Sequence, residues 1–501
     1  MKLYNKVILS LTLLGSVLVS SCDNLLQVDP RQSIDADGAL NSPDAVDAAL
    51  NSVYARLRST SNYGRNLLAL SDALADVGQT TNNSGRLIGE NNNQPNAHFT
   101  DGLWLNSYFA INEANLILDG LSAVEGASEI QKVRWEGEAK FLRGLYYFDL
   151  VKAYSYIPTA IIPAGVTDEG GVPIVTIGVI TSDLGFTRQS PRSTIAQVYT
   201  QVITDLLDAK RLLTSRGTHF ASSAAASGLL SRVYLYQGDW PNAVEEATTA
   251  LSSNVGTVLG GVAYVDGWRA PVNPESMFEV RFEIAAESIG VNESLQSTYT
   301  ALQNLANKNQ QGGWGDFIPN ATVRGFFGLT QLQTGTPASD NNNWDVTRNS
   351  DVRAQLYTTG NTVRGAGRQI ESIKFIAKNG FAFGDNVPVV RKSEMHLNRA
   401  EANYQLENFS DALIELNAFK GLRGVAAVNL SGAALLDEIL LERFKEFAFE
   451  GHRFFDLKRY GRPIIKTTPA ITVQFDDFRI LPPLPQREVD GNPNLNQNRG
   501  Y

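Results

Sequence analysis

The sequence predicts a mainly α-helical fold in which paired helices form a scaffold interrupted by an irregular, loop-rich binding subdomain. Three observations lead to this prediction. Apolar residues recur at helical spacing through much of the 501-residue chain. Two separate stretches repeat one helix–turn–helix pattern. Between them, residues 255–390 are rich in Gly, Asn and Thr and have little helical period, which is typical of a functional or poorly ordered insertion.

The chain begins with a segment typical of secreted proteins. Lysines precede an apolar stretch over residues 7–19, and small residues then lead to Cys22. This pattern resembles the lipobox of bacterial lipoproteins, which implies a signal peptide over residues 1–21 and acylation of Cys22. Residues 22–40 would then form a lipidated tether. The alternative is an ordinary signal peptide that happens to end near a cysteine.

Composition limits the classes of function. Cys22 is the only cysteine, which excludes disulfides and cysteine-based metal sites. The formal net charge of −9 argues against nucleic acid as a partner, because phosphate binding needs a basic face. No apolar run of about 18 residues follows the N-terminus, so we expect no membrane-spanning helix. Attachment to a membrane would therefore depend on Cys22.

Four long amphipathic helices are predicted in the first half of the chain. The segments are Ala45–Leu57, Asn112–Leu121, Trp135–Tyr154 and Thr194–Leu213. Ser42 followed by Pro43 is typical of a helix start, and Ser193 or Thr194 is a candidate cap for the fourth helix.

The repeated pattern consists of two helices joined by a short turn. Its apolar positions are Leu229, Val233, Tyr236, Ala243 and Ala247 in the first unit and Leu397, Ala400, Tyr404, Ala412, Leu416 and Phe419 in the second. Both units resemble tetratricopeptide helix pairs, although the match is partial and the spacing is uneven. They indicate a right-handed superhelical scaffold of tetratricopeptide-like pairs. We predict a helical region over residues 41–254, the binding subdomain over 255–390, and a second helical region with a packed tail over 391–501.

The C-terminal part carries the most specific motifs. Residues 442–462 read ERFKEFAFEGHRFFDLKRYGR, and the chain ends LPPLPQREVDGNPNLNQNRGY. Further motifs are EGEAKFLRGLYYFDLVKAYSYIP (136–158), SGLLSRVYLYQGDWPNAVEEA (227–247) and SEMHLNRAEANYQLENFSDALIELN (393–417). Together they resemble the RagB/SusD family of nutrient-binding surface lipoproteins.

This resemblance implies a function as well as a fold. Members are outer-membrane lipoproteins that face the cell exterior, capture glycans and pass them to a SusC-like TonB-dependent transporter. Some members bind peptides instead. The resemblance implies no catalytic activity and no cofactor, although a structural calcium ion in the loops stays an open alternative.

Read from the residues alone, the segment 442–462 indicates a structural role. Leu440, Phe444 and Phe447 form an apolar stripe, and Glu446, Glu450, Arg453 and Asp456 interleave opposite charges that can pair between helices. The alternative is acid–base catalysis with His452 as proton shuttle. The chain has four scattered histidines (His98, His219, His396 and His452) and none of the common catalytic motifs, so a binding protein is favoured over a hydrolase.

Tryptophans in the irregular region are the candidate ligand residues. Sugar rings stack their apolar faces on aromatic side chains, and their hydroxyls need polar partners. We predict Trp268, Trp314 and Trp344 as stacking residues. Their predicted polar neighbours are Asp316, Asn342, Asn343, Arg86 and Asn92. The alternative for each is that it fastens a loop to the protein body, as we expect for the packing residues Trp104, Trp135 and Trp240.

Overall fold

The computed structural model describes residues 40–99, 101–162, 165–180, 189–362 and 367–501. Cys22, the predicted signal peptide and all but the last residue of the predicted tether lie outside these ranges. Helices dominate the described structure, as predicted, and the strands are short. Among the described helices, none is both long and apolar enough to cross a membrane.

The helices are α1 (Pro43–Arg56), α2 (Asn66–Leu74), α3 (Ile88–Asn91), α4 (Asp101–Gly120), α5 (Glu129–Tyr154), α6 (Ile195–Leu212), α7 (Ser223–Gln237), α8 (Trp240–Ser252), α9 (Val262–Arg269), α10 (Leu295–Tyr299), α11 (Ala321–Phe327), α12 (Lys392–Gln405), α13 (Phe409–Leu422), α14 (Gly432–Phe447), α15 (Arg453–Arg459) and α16 (Gln486–Gly491).

The strands are β1 (Gly78–Thr80), β2 (Ser276–Val280), β3 (Phe317–Pro319), β4 (Gln331–Gln333), β5 (Trp344–Val346), β6 (Tyr357–Thr359), β7 (Ile370–Ser372), β8 (Val387–Arg391), β9 (Ile464–Thr467) and β10 (Ala470–Val473). They pair antiparallel in twos, as β1–β3, β2–β8, β4–β5, β6–β7 and β9–β10.

A row of helices forms the scaffold. In the order α1, α4, α5, α6, α7, α8, α12, α13 and α14, each helix packs against the next. The row passes directly from α8 to α12 although about 140 residues separate them along the chain. Lys392 fastens this junction, because its ammonium group donates to the carbonyls of Leu251 at 2.9 Å and Ser253 at 2.6 Å. The scaffold is therefore continuous in space where the sequence pattern is interrupted.

Local signals explain how the long helices start and pack. Ser42 caps α1 and Pro43 occupies its first turn, as predicted. Thr194 caps α6 in a reciprocal arrangement with Gln197. Gly137 lets α5 approach α6 closely, since a Cβ there would lie 2.7 Å from the Leu213 side chain. All four predicted helices are present, and α4 starts 11 residues earlier than predicted.

One hydrophobic core joins the helical row to the irregular region. Phe278 of β2, for example, packs its ring 5.0 Å from Phe141 of α5 and 6.4 Å from Tyr54 of α1. The same cluster includes residues from the C-terminal tail, such as the buried Leu481 and Leu484. The tail packs on the body as predicted, and the predicted boundaries between regions stay a prediction.

Buried ion pairs connect the C-terminal helices to the irregular region. Arg391 of β8 pairs with Glu446 at 2.7 Å, Glu450 at 2.9 Å and Glu275 at 3.0 Å. Glu446 also pairs with Arg423 at 2.9 Å. All five side chains are buried. The charges interleaved in residues 442–462 thus pair between elements, as predicted for a structural segment.

Candidate functional site

Three predicted ligand residues, Trp314, Asp316 and Arg86, come together at the start of β3. The Arg86 guanidinium pairs with the Asp316 carboxylate at 3.0 Å and lies 5.5 Å from the centre of the Trp314 ring. The polar loop after β1 carries Arg86, and pairing of β1 with β3 brings this loop beside residues 312–316, the Trp314 loop. These contacts make Arg86 and Asp316 polar neighbours of Trp314, as predicted, whereas a ligand role for these residues stays a prediction.

Asn292 joins this group and was missed from the sequence. Its side-chain oxygen accepts hydrogen bonds from the Trp314 indole N–H at 3.1 Å and from Arg86 at 3.3 Å. Its backbone carbonyl accepts from Arg65 at 2.8 Å, and Arg65 also pairs with Glu293 at 3.5 Å. We call Arg65, Arg86, Asn292, Glu293, Trp314 and Asp316 the Trp314 cluster. No periodicity or motif marks Asn292, because its importance comes from a contact across more than 200 residues.

Charge is balanced within the Trp314 cluster. Burial raises the pKa of Asp316, and hydrogen bonds from Ser84 and Arg86 counteract that rise. Burial lowers the pKa of Arg65, and the nearby Glu293 carboxylate counteracts it. Each of the two arginines thus has an acidic partner. The cluster offers an aromatic ring and several hydrogen-bonding groups with no net charge.

Glycines shape the Trp314 loop. A Cβ at Gly312 would lie 2.3 Å from the Leu302 carbonyl oxygen, and a Cβ at Gly313 would lie 2.3 Å from the Ser297 Cα. The Ser297 carbonyl accepts from the N–H groups of Trp314 at 3.1 Å and Gly315 at 2.9 Å. The loop therefore lies flat on the segment around Ser297 and leaves the Trp314 ring half-buried.

Trp344 lies in a second group at the start of β5. The Arg368 guanidinium is 4.2 Å from the centre of its ring, and its indole N–H donates to the Ala338 carbonyl at 2.9 Å. Asn342 accepts from the Lys308 N–H at 2.8 Å, and Asn343 donates to the Pro337 carbonyl at 3.0 Å. These side chains shape the turn before β5. The structure thus gives all three a local structural role, and a ligand role stays a prediction.

Trp268 is not accessible to a ligand, so its prediction as a stacking residue is wrong. Its side chain is 0% exposed, and its ring packs edge-on against Phe375 at 6.2 Å. Trp268 belongs to α9, together with the buried Tyr264 and Val265. This short helix has its own apolar face, which turns the ring into the core.

Asn92 does not join the Trp314 cluster. It ends α3, where its N–H donates to the Ile88 carbonyl at 3.0 Å. The neighbouring Asn93 donates to the Leu74 carbonyl and fastens this turn to α2. Among the described residues, no hydrogen bond links the Asn92 side chain to the Trp314 cluster.

The other tryptophans have the packing roles that were predicted. Trp104 and Trp135 are buried, and Trp240 is half-buried against the core. For His452, burial and the nearby Arg232 and Arg443 guanidinium groups hold the pKa well below its ordinary value. A neutral imidazole in that setting is a poor proton shuttle. In the described ranges, no group of three His, Cys, Asp or Glu side chains could hold a metal ion.

Family models match both ends of the chain. A model described as "Starch-binding associating with outer membrane" matches residues 25–235, and one described as "SusD family" matches residues 377–501. SusD-like protein P2 of Formosa agariphila is 24% identical over 99% of this chain and 98% of its own length. SusD-like protein P38 of the same organism is 23% identical over the full length of both chains.

Solved structures have the same fold. A SusD superfamily protein from Bacteroides thetaiotaomicron superposes with a TM-score of 0.75 at 24% identity, covering 91% of this chain and 99% of that one. A laminarin-binding SusD-like protein superposes with a TM-score of 0.68 at 22% identity, covering 92% of this chain and 100% of that one. Both likenesses extend across the helical row and the irregular region, so the whole architecture is shared.

Proposed function

The chain belongs to the SusD family, and from this membership we propose that it captures glycans outside the cell and passes them to a SusC-like TonB-dependent transporter. Family members of this kind bind carbohydrate, and one structural relative is described as laminarin-binding. The proposal adds three features to that general role. These are a lipid anchor at Cys22, exposure at the outer surface of the outer membrane, and a transporter partner.

The Trp314 cluster is the proposed glycan site. The observation that carries this assignment is a half-buried indole ring bordered by Arg86 and Asn292, in which the Asn292 side-chain oxygen accepts hydrogen bonds from both the ring N–H and Arg86. An aromatic face with polar groups at its edge matches a sugar ring, which has apolar C–H faces and hydroxyls around its rim. Glycines hold the loop flat on the body, so the ring is positioned before ligand arrives.

Charge balance favours a neutral glycan. Arg86 is paired with Asp316 and Arg65 with Glu293, so neither guanidinium is free to bind an acidic sugar without breaking an existing ion pair. The hydroxyls of a neutral sugar can instead form hydrogen bonds with these paired side chains while the ion pairs stay intact. We therefore expect neutral glucans, with laminarin and starch oligosaccharides as first probes, to bind more tightly than uronate-containing polymers.

Isothermal titration with these glycans tests the site. Trp314→Ala should weaken binding by about 1–3 kcal/mol, which is the contribution of a nucleobase stacked on an aromatic side chain and which we take as the scale for a stacked sugar ring. Trp240→Ala is the matched control, since it removes another half-buried tryptophan, which lies in α8 and packs against the core. Equal affinity of Trp314→Ala and the parent protein would reject the Trp314 site, and equal loss in both variants would point to a general effect on the fold.

A glycan-binding function is itself open to refutation. Binding to a peptide digest with no binding to any glycan would favour a peptide-binding member of the family, and release of sugar from a polysaccharide by the pure protein would indicate a hydrolase. Co-purification of a large outer-membrane barrel with the full-length chain would support the transporter partner. Its absence under mild detergent extraction would count against that part of the proposal.

Lipid anchoring has a separate test. Two or three acyl chains bind a membrane durably, because each buried methylene contributes about 0.8 kcal/mol. Cys22→Ser should therefore abolish labelling by radioactive palmitate and leave the precursor uncleaved by the lipoprotein peptidase. Persistent labelling of the variant would contradict acylation at Cys22.

A further inference from the structure

A buried carboxylate, Glu371 of β7, lies beneath the Trp314 loop. It is 2% exposed, and one of its oxygens accepts hydrogen bonds from the Thr300 hydroxyl at 2.7 Å and the Ala301 N–H at 2.8 Å. Thr300 and Ala301 directly follow α10. Glu371 therefore holds the end of the segment on which the Trp314 loop rests.

The Trp314 loop is attached to that segment by backbone hydrogen bonds. The Gly312 N–H donates to the Ala301 carbonyl at 2.9 Å, and the Trp314 and Gly315 N–H groups donate to the Ser297 carbonyl. Ala301 therefore contacts both groups: its N–H donates to Glu371, and its carbonyl accepts from Gly312 of the Trp314 loop. A shift of Ala301 would be passed directly to the loop that carries Trp314.

The protein closes tightly around this carboxylate. A Cβ added at Gly315 would lie 2.9 Å from a Glu371 carboxyl oxygen, and a Cβ added at Gly360 would lie 2.1 Å from it. Both positions therefore need glycine for close approach. The Trp314 loop forms one side of the enclosure, so opening of this loop is a direct route by which water could reach Glu371.

Glu371 has no cationic partner in this enclosure. The groups that face it are the Thr300 hydroxyl, the Ala301 N–H and the backbones of Gly315 and Gly360, and among the described residues no Lys, Arg or His forms an ion pair with it. Burial raises the pKa of Glu371 to about 7, and the two hydrogen bonds lower it only in part. The ionised form is costly here because it loses hydration without gaining an opposite charge.

Asp72 of α2 is a second buried acid that contacts the same segment. It accepts from the Tyr299 hydroxyl at 2.7 Å and from the Gly451 N–H at 3.2 Å. Burial raises its pKa to about 8; Lys374 counteracts this rise and Glu450 adds to it. Any pH dependence of the segment must therefore be divided between Asp72 and Glu371.

We propose that Glu371 is a positioning residue for the Trp314 loop, which closes over the protonated carboxyl group and opens when that group ionises and draws in water. The expected effect on glycan affinity rests on the proposed function, whereas the expected effect on the loop does not. Opening would move Trp314 away from Asn292 and Arg86. Ligand binding and proton binding by Glu371 would then favour the same closed state.

Hydrogen exchange of the ligand-free, full-length protein tests the loop. Between pH 5.5 and pH 8.5, protection of the amides in residues 297–316, corrected for intrinsic exchange rates, should fall by about tenfold or more, since each unit of pKa difference between closed and open states is tenfold in the opening equilibrium. Glu371→Gln should stay protected at both pH values apart from any loss that Asp72 causes, because glutamine has nearly the shape of the neutral acid and cannot ionise.

Two variants serve as controls. Glu279→Gln neutralises another buried glutamate with a raised pKa, whose described partners include Asn273, Ser276 and Asn386, and it should keep the parent pH dependence. Asp72→Asn measures how much of the pH dependence of protection comes from Asp72. Protection that does not change with pH in the parent protein, or a pH dependence that Glu371→Gln leaves undiminished, would overturn the proposal.

Titration with the best glycan probe at the same two pH values separates this proposal from the proposed function. The parent protein should bind more weakly at pH 8.5 by the factor by which its closed fraction falls, and Glu371→Gln should lose this difference apart from any part that Asp72 contributes. Loop protection that follows Glu371 with no glycan binding at any pH would leave the positioning role intact and reject the glycan function. Glycan affinity that falls equally in parent and variant would reject the link to Glu371.

Discussion

At the scale of single residues, the surroundings of each tryptophan determine its role. Trp314 rests on a loop flattened by glycines and keeps part of its ring at the surface, whereas Trp268 is fully enclosed. The sequence around Trp268 led to the wrong prediction of an exposed ring, because Gly267 and the Gly- and Asn-rich surroundings are typical of exposed loops. The spacing of Tyr264, Val265 and Trp268 is the signal that places the ring on the apolar face of α9.

Trp268→Ala should reduce stability and leave ligand binding unchanged. Removing a large, fully buried aromatic side chain costs about 3–5 kcal/mol in the free energy of unfolding, because a cavity remains. Urea unfolding of the variant measures this loss, and titration of the folded protein measures affinity. Trp268→Phe, which leaves a smaller cavity, covers the case in which the alanine variant does not fold. A large loss of affinity at unchanged stability would restore Trp268 as a ligand residue.

Sequence patterns could predict some contacts of the candidate site and not others. Trp314 and Asp316 are close in sequence, and the glycines around them indicated a shaped loop. Arg86 was predicted from the polar character of its loop, and pairing of β1 with β3 brings it to the site. Asn292 carries no pattern, since a single asparagine in a polar stretch becomes significant only through the fold.

At the scale of elements, α14 is stabilised by charge as well as by apolar packing. Its apolar stripe follows from helical period, which is why its structural role could be predicted. Its partners could not be predicted, because Arg391, Arg423 and Arg353 come from three separate segments outside the helix. The nine residues of α2 escaped prediction for a different reason: all of them are buried, so the helix has no polar face to give it a period.

Glu446→Ala should destabilise the fold strongly. The variant would leave the buried Arg391 and Arg423 guanidinium groups without their shared carboxylate, and breaking one partner of a buried ion pair costs about 3–5 kcal/mol. Asp437→Ala is the control on the same helix, because its exposed pair with Arg462 should contribute less than about 1 kcal/mol. Denaturant unfolding compares the two, and similar effects would contradict the importance of burial.

At the scale of the whole molecule, two classes of buried acid have opposite effects. Nearby guanidinium groups hold the pKa values of Glu442, Glu446 and Asp456 below their usual range, against the effect of burial. Burial raises the pKa values of Asp72 and Glu371. The first class requires ionised carboxylates for stability at neutral pH, and the second favours protonated ones.

Stability should therefore fall steeply in acid. Glu442, Glu446 and Asp456 have lower pKa values folded than unfolded, so the unfolded chain binds more protons as the pH drops below about 4, and the free energy of unfolding decreases. His98 acts in the same direction, because burial lowers its pKa to about 3. Urea unfolding between pH 4 and pH 3 measures this trend, since between pH 4 and pH 6 protonation of Asp72 and Glu371, whose pKa values are raised in the fold, acts in the opposite direction. Constant or rising stability toward pH 3 would contradict the assigned ion pairs.

The junction fastened by Lys392 has a consequence for how relatives of this protein diversify. Because Lys392 binds the carbonyls of residues 251 and 253, the chain leaves the helical row and returns to it at almost the same place. The segment between α8 and α12 can then gain, lose or exchange residues without shifting the packing register of α8 on α12. Selection for a new nutrient can act on this segment between α8 and α12. The side chains that the segment contributes to the common core, such as Phe278, must keep their size and shape.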